Sequence, residues 1–316
     1  MTGPPILIAT RGSALALAQA NMVLAACRAK FPKLAFALKI IKTTGDKLQS
    51  VAMSRIDASL PRGLFTKELE VALLKNRADV AVHSLKDLPT QLPDGLKLGA
   101  VAGKRADVRD VLIYRNVIKP KTKLAAFPSG LTVATSSTRR KAQILAWRPD
   151  FKVVEIRGNV PTRLQKLADQ PEIDATILAA AGLARLHIQI TAGGRLKGGD
   201  TPDGLAVTIL DTDEMLPCPG QGALGLEIRE DDERMAGICR RLNDHETFQC
   251  AIAERALLRA MGGGCQTPVG AHARVDGEEL HLRAVSFLTG VACRAEARAP
   301  LSEAAALGER VAAQLL

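Results

Sequence analysis

The sequence predicts an α/β protein made of two doubly wound units followed by a small α+β unit. Three observations predict it. Short apolar runs alternate with helix-like stretches from Ile6 to about Ala102. The same alternation restarts after a Pro- and Lys-punctuated stretch at 119–129. From about Asn243 the pattern changes to one helix followed by closely spaced alternating runs. Strands alternating with helices imply mostly parallel sheets covered on both faces, whereas a helix followed by hairpin strands implies α+β.

In chain order, residues 6–10 form a short buried strand. Arg11-Gly12-Ser13 is a turn, with Ser13 as N-cap of an Ala- and Leu-rich helix over 14–30. Phe36, Leu38 and Ile40 alternate as in a strand. Residues 43–63 are polar and aperiodic, and a loop that long is a functional lid or a disordered segment. Thr66 caps a helix to Asn76, and strands follow at 79–83 and 96–102. The second unit has a strand at 131–135, a helix capped by Ser136 or Ser137, a strand at 153–156, a helix opened by Pro161 and a strand at 175–179. Residues 191–204 carry five glycines and read as an exposed insertion. Asn243 and Glu246 start the last long helix in a capping-box-like pattern. Gly262-Gly263-Gly264 ends it. Strands near 269–275, 280–285 and 292–297 and a helix from Ser302 complete the chain, with Asp276-Gly277 as a hairpin turn.

Composition narrows the function. The 316 residues carry 43 Lys and Arg against 33 Asp and Glu, a net charge of +10, with 47% hydrophobic but only 3% aromatic residues. Cores must therefore be aliphatic, and base-stacking platforms are excluded. No apolar run reaches the roughly 18 residues a membrane span needs, and Arg11 interrupts the apolar start, so neither a membrane anchor nor a signal peptide is expected. The six cysteines make no Cys-x-x-Cys pair and have no His at ligand spacing, so no metal is expected. A reducing compartment, the cytoplasm, follows, with most thiols as small core residues. Residues 104–163 hold 14 basic and four acidic residues, matching the net charge of the whole chain. This run is either a solvated basic face or the site of a multiply anionic ligand.

Ligands of open α/β sheets bind at the carboxyl ends of strands. Three strand ends carry the same chemistry. Thr10 to Ser13, Thr135 to Arg140, and Arg157-Gly158-Asn159 with Arg163 each place guanidinium groups beside a helix start. Helix N-termini attract anions, and Arg adds bidentate carboxylate recognition. Together the three ends point to a ligand with several carboxylates. His83-Ser84-Leu85-Lys86-Asp87 follows another strand, and Asp87 is expected to be the only carboxylate near this cluster. It is either an ion-pair partner or cap, or the group that stabilises a substrate cation and relays protons. Cys265, after three glycines, is either inert or an accessible covalent thiol.

Seven stretches fit one family in order. They are Ala9-Thr10-Arg11 with Ser13; Gly63 to Glu70; Ala81 to Thr90; Thr135 to Arg140; Arg157 to Val160; Pro219 to Ala223; and Gly263 to Gly270. On these the chain resembles the porphobilinogen deaminase (hydroxymethylbilane synthase) family of tetrapyrrole biosynthesis. The resemblance implies two α/β domains like those of type II periplasmic binding proteins plus a small α+β domain. Domain 1 would comprise 1–104 and 222–241, domain 2 105–221, and domain 3 242–316, so the chain crosses between the first two twice. It implies a dipyrromethane cofactor joined to Cys265 through a thioether. Four porphobilinogen molecules would be deaminated and added to it head to tail, and water would release the linear tetrapyrrole. Asp87 and Lys86 would be catalytic. Lys86, Asp87, Ser84, Thr135, Ser136, Ser137, Arg139 and Arg140 would hold the cofactor. Arg11, Ser13, Phe65, Arg157, Arg163 and Gln221 would meet substrate. Porphobilinogen and the growing polypyrrole are the expected partners, the protein acting as a monomer without nucleic acid or membrane. The segment 59–63 departs from the family's glycine-lysine-glycine run, with Arg62 supplying the charge and Pro61 stiffening the loop. A non-enzymatic binding protein of the same fold and a basic nucleic-acid binder are the competing readings, and intact mass and salt-dependent DNA retention separate them.

Overall fold

A computed structural model describes residues 4–43, 66–115, 118–264 and 266–316. The expected lid at 44–62, Phe65 and Cys265 lie outside the described residues.

The first sheet contains β1 (Ile6–Arg11), β2 (Phe36–Ile41), β3 (Val80–Ser84), β4 (Leu96–Val101) and, from much later in the chain, β12 (Leu224–Arg229). Its order is β2-β1-β3-β12-β4. β1 runs parallel to β2 and β3, while β12 is antiparallel to both β3 and β4. Helix α1 (Ala14–Lys30) covers one face, where Val23 and Leu24 meet Ile6, Ile8, Val82 and Leu226. The Ser13 side chain accepts from the Ala16 N–H, and Arg28 and Lys30 in the last turn suit the helix dipole. Helix α2 (Lys67–Leu74) covers the other face through Leu69 and Leu73. Its Thr66 occupies the cap position without capping; the hydroxyl meets the Glu70 side chain instead.

The second sheet repeats the plan. It contains β5 (Asp110–Arg115), β6 (Thr132–Ala134), β7 (Lys152–Val154), β8 (Ala175–Ala179) and β11 (Leu205–Ile209). The order β7-β6-β8-β5-β11 again has one reversed strand in fourth place, since β5 is antiparallel to β8 and β11. Helix α3 (Thr138–Trp147) packs Ile144 on one face, and α4 (Val160–Asp169) and α5 (Ala180–Arg185) pack Leu164, Leu167 and Leu183 on the other. Each sheet is thus mixed rather than mostly parallel: one reversed strand makes two of its four pairings antiparallel. Each reversed strand is the first element after a chain crossing, β5 on the way out and β12 on the way back. The glycine-rich stretch at 191–204 is not purely irregular: β9 (Gln189–Ile190) pairs antiparallel with β10 (Leu196–Lys197).

The remaining residues continue the order. Helix α6 (Glu233–Leu242) packs Met235 and Ile238 on the first sheet. Helix α7 (His245–Ala260) and helix α8 (Ala304–Ala313) cover a three-stranded antiparallel sheet of β13 (Val269–Asp276), β14 (Glu279–Ser286) and β15 (Cys293–Pro300). A Cβ at Gly308 would strike the Ala253 carbonyl, so the glycine lets α8 lie close on α7. The α7 cap is Asp244, which accepts from the Thr247 N–H, rather than the expected Asn243. Asn243 instead accepts from Val101 N–H at 2.8 Å, tying the helix start to β4. Inside α7, Glu254 is fully buried yet fully bonded. It takes both ends of the Arg105 guanidinium at 2.7 and 2.9 Å and the N–H groups of Gly220 and Ala273, each at 2.7 Å. One carboxylate thus joins both chain crossings to the last sheet.

Candidate functional site

The carboxyl ends of β1, β3, β6, β7 and β8 converge with the starts of the reversed strands β5 and β12. This convergence follows from topology: an antiparallel strand begins where its parallel neighbours end. Asp110, first residue of β5, pairs in register with Ala179, last residue of β8. Gln221 precedes β12, whose Leu224 pairs with Ser84 at the end of β3.

On the first sheet, Arg11, Ser13, Gln19, Thr66, Ser84 and Asp87 line a small pocket of about 60 Å³. Asp87 is exposed. The Ser84 hydroxyl is bonded to the Gln19 amide at 2.8 Å. Lys86 donates to Gln221 Oε1 at 3.3 Å. Its ammonium is held below the ordinary lysine range, first by desolvation and then by Arg140, against the pull of Asp87. Gly220, at φ +77°, lets the chain pass the Lys86 backbone, which a Cβ there would approach to 3.0 Å.

On the second sheet, Ser137 caps α3 by accepting from the Arg140 N–H, and Thr135 Oγ1 accepts from the Ser137 N–H. Ser136 donates to the Ile156 carbonyl at 2.8 Å. Arg139 and Arg140 are only 4% and 6% exposed. Both are paired with Asp110, at 2.8 and 2.7 Å, and also donate to the Leu216 and Ile177 carbonyls. Asp87 is therefore not the only carboxylate near the cluster, and the two arginines are not free cations. Burial would raise the Asp110 pKa, but the two guanidiniums outweigh it and hold the carboxyl well below its usual range. Each arginine still keeps a buried Nε–H with no partner among the described residues. A buried donor left without a partner is costly, so these atoms and the surplus positive charge suit an anionic group.

Arg163 donates to the Gly158 carbonyl at 2.8 Å. Desolvation, with Arg140 and Arg157 nearby, pushes its pKa down to about 10 against the opposing effect of Asp87. Arg157 is half exposed, 3.5 Å from Glu155. Gln221, expected to meet substrate, is engaged within the protein. The residue is 1% exposed and its amide donates to Val108 O at 2.7 Å and Asp110 Oδ1 at 3.0 Å while accepting from Lys86. It braces both sheets' site residues from behind.

Beside the cysteine expected to carry the cofactor, the Gly264 N–H donates to Thr267 Oγ1 at 2.9 Å, and the Thr138 hydroxyl donates to the Gln266 carbonyl at 2.6 Å. The chain flanking that position is thus fastened to the start of α3. Cys27, Cys239 and Cys250 are buried, and burial pushes their thiols up to about 11, 12 and 12, as inert core thiols require. Cys218 is a half-buried exception, facing Arg139 and Lys86.

Two features escaped the sequence. Asp110 was one acid within a basic run; its signal is its place directly before the apolar Val111 to Tyr114. Arg185 ends α5, donates to the Gly222 carbonyl at 2.7 Å and keeps a buried Nε–H without a partner among the described residues. Desolvation pushes it down to about 10.

Two family models cover most of the chain. One, described as "Porphobilinogen deaminase, dipyromethane cofactor binding domain", matches residues 6–237, and "Porphobilinogen deaminase, C-terminal domain" matches 248–316. A porphobilinogen deaminase of Desulforudis audaxviator is 44% identical over 98% of this chain and 94% of its own length. Another, of Chloroherpeton thalassium, is 43% identical over 87% and 81%. Among solved structures, the BenM effector binding domain aligns at a TM-score of 0.42 and 15% identity over 76% of this chain and 92% of that one. With 44% identity running almost end to end and both domain models matched in order, the chain belongs to the porphobilinogen deaminase family.

Proposed function

We propose that the strand-end cleft is where this transferase joins porphobilinogen units, with loss of ammonia, into the linear tetrapyrrole, and that Cys265 carries the dipyrromethane primer through a thioether. One observation carries this reading: an exposed carboxylate, Asp87, stands where the ends of two sheets meet, close to the cationic groups Lys86, Arg140 and Arg163.

The substrate explains that arrangement. Each porphobilinogen brings an acetate and a propionate, so a growing chain needs many cations and few acids. When the amine leaves, the remaining methylene carries positive charge delocalised to the pyrrole nitrogen. Asp87 stabilises this charge and helps protonate the departing amine. Lys86 shares the proton transfer and holds a carboxylate. Dipyrromethane, when bound, would supply the free pyrrole α-carbon to which the first unit is added, and each later unit would add to the ring before it. The dipyrromethane carboxylates would be held by Arg139 and Arg140, with Ser84, Thr135, Ser136 and Ser137 adding neutral contacts. Asp110 and Gln221 keep those guanidiniums oriented. Arg11, Ser13, Arg157 and Arg163, with Phe65, hold incoming and terminal rings, and Arg185 is a further cation for that purpose.

The division into 1–104 with 222–241, 105–221 and 242–316 is supported by β12 lying within the first sheet and by the separate core of α7, α8 and β13–β15. The reading places the protein as a monomer in a reducing cytoplasm, which suits five unpaired cysteines among the described residues. No described helix is long and apolar enough to cross a membrane.

Intact mass tests the proposal. The purified chain should exceed its sequence mass by one dipyrromethane. The adduct should vanish in Cys265→Ser and persist in the Cys218, Cys239 and Cys293 to Ser variants. An adduct mapped to another cysteine, or none in the wild type, refutes the attachment.

A further inference from the structure

The residues directly after Asp87 are held by one side chain from the far end of the chain. Arg255, on α7, donates from Nη1 to the Leu88 carbonyl at 3.0 Å and from Nη2 to the Pro89 carbonyl at 2.6 Å. Pro89 has no N–H, so its carbonyl is the one backbone handle it offers. Arg255 as a whole is 9% exposed. Among the described residues no carboxylate lies in ion-pair contact with it. The acid that faces it is Glu227, which is fully buried and already bonded to His83 at 2.9 Å. Desolvation pushes the Arg255 pKa down to about 10. A charge buried without a contacting counter-ion is a poor source of stability. Its two-pronged grip on one peptide segment instead defines a position.

The location of α7 gives that position a purpose. The same helix ends at Ala260, just before the Gly262-Gly263-Gly264-Cys265 loop. The neighbouring Glu254 holds both chain crossings. On the other side of Asp87, the chain is fixed by Leu85 N–H to Ala223 O and by Ser84 to Gln19. We propose that Arg255 is a positioning residue that fixes Asp87 relative to α7 by holding the Leu88 and Pro89 carbonyls. This rests on the reading of Asp87 as the group that meets the substrate cation. Misplacing a reacting group by about 1 Å can cost on the order of 10²-fold in rate. Arg255 also borders a cavity of about 570 Å³, so shortening the side chain opens onto existing space.

The test compares holoenzymes of the wild type, Arg255→Gln, Arg255→Lys, Arg259→Gln and Asp87→Asn. Turnover of porphobilinogen is expressed per adduct-bearing molecule, counted by intact mass, with Tm measured alongside. Arg255→Gln should lower kcat about 10- to 100-fold while KM stays within about two-fold. Arg255→Lys, able to serve one carbonyl but not both, should recover part of the loss. Arg259, one turn on and paired on the surface with Glu309, should be silent. A kcat within about two-fold of wild type in Arg255→Gln, whatever its Tm, overturns the proposal. If that variant yields no adduct-bearing protein, Arg255→Lys decides: unchanged kcat overturns it, and reduced kcat at unchanged KM supports it. Near-normal turnover in Asp87→Asn would remove the underlying reading of Asp87. A crippled Asp87→Asn beside a silent Arg255→Gln would remove the positioning role alone.

Discussion

The two large sheets share one strand plan, yet their site ends are built differently. At the end of β3, Asp87 is exposed and the neighbouring side chains are held by hydrogen bonds between neutral amide and hydroxyl groups or from one lysine, such as Ser84 with Gln19 and Lys86 to Gln221. At the end of β6, Arg139, Arg140 and Asp110 are almost entirely buried and locked to each other and to backbone carbonyls. The first end has a titratable group in contact with solvent. The second has a fixed positive surface whose shape is set before any ligand arrives. The same topology thus supplies a reactive wall and a holding wall, according to whether the reversed strand opens with a buried acid.

Substitutions on the two walls should therefore fail in different ways. The largest effect belongs to the holding wall. Asp110→Asn leaves two buried guanidiniums without their counter-ion and should destabilise the protein by about 3–5 kcal/mol in urea unfolding. A loss below about 1 kcal/mol would erase the contrast. The pH dependence has a definite sign. The folded-state pKa of Asp110 is depressed, so its stabilisation is complete above the ordinary carboxylate pKa of about 4 and drains away as pH falls below it. Asp110→Asn should lack that part of the acid sensitivity.

On the reactive wall, Asp87→Asn should cost on the order of 10²-fold in turnover. Its adduct should remain, and its stability should lie within about 0.5 kcal/mol of wild type. A large drop in stability with normal kcat would reverse the assignment of the walls. The arginines sharpen the comparison by stage. Arg139→Leu or Arg140→Leu should impair primer assembly, whereas Arg11→Leu or Arg157→Leu should stall elongation on an assembled primer. Native-mass counts of rings per protein separate these outcomes, and one ring distribution common to all four would dissolve the distinction. The smallest effect concerns the helix caps. Ser13→Ala and Ser137→Ala should each cost about 1 kcal/mol. Because Ser137 also sets the Arg140 backbone, only its loss should slow primer assembly.

What was legible in the sequence depended on how local the cause was. The α1 span, its Ser13 cap and the β8 strand follow from periodicity and turn chemistry within a few residues. The pairing of Arg139 and Arg140 with Asp110 did not, because the partners lie about thirty positions away and meet only when β5 reverses against β8. β12 was hard to see for a similar reason. Glu227 interrupts its apolar run, and the partner that makes this acid tolerable, His83, stands on β3. Arg139 was therefore recognisable as a cation at a strand end but not as one already engaged. Gln221 was recognisable as part of a motif but not as a brace.

The insertion of β12 between β3 and β4 has a consequence for how the molecule is made. A chain emerging from the ribosome presents β1 to β4 long before residues 224–229 exist, and domains generally fold as units once complete. Until β12 arrives, β4 has no neighbour in its sheet, and the buried His83 has no acid. The second sheet, by contrast, is contiguous in the sequence from β5 to β11 and can close first. The half of the enzyme translated first is therefore expected to finish last. Chains arrested before residue 224 should protect the second sheet from protease while leaving the first open to cleavage.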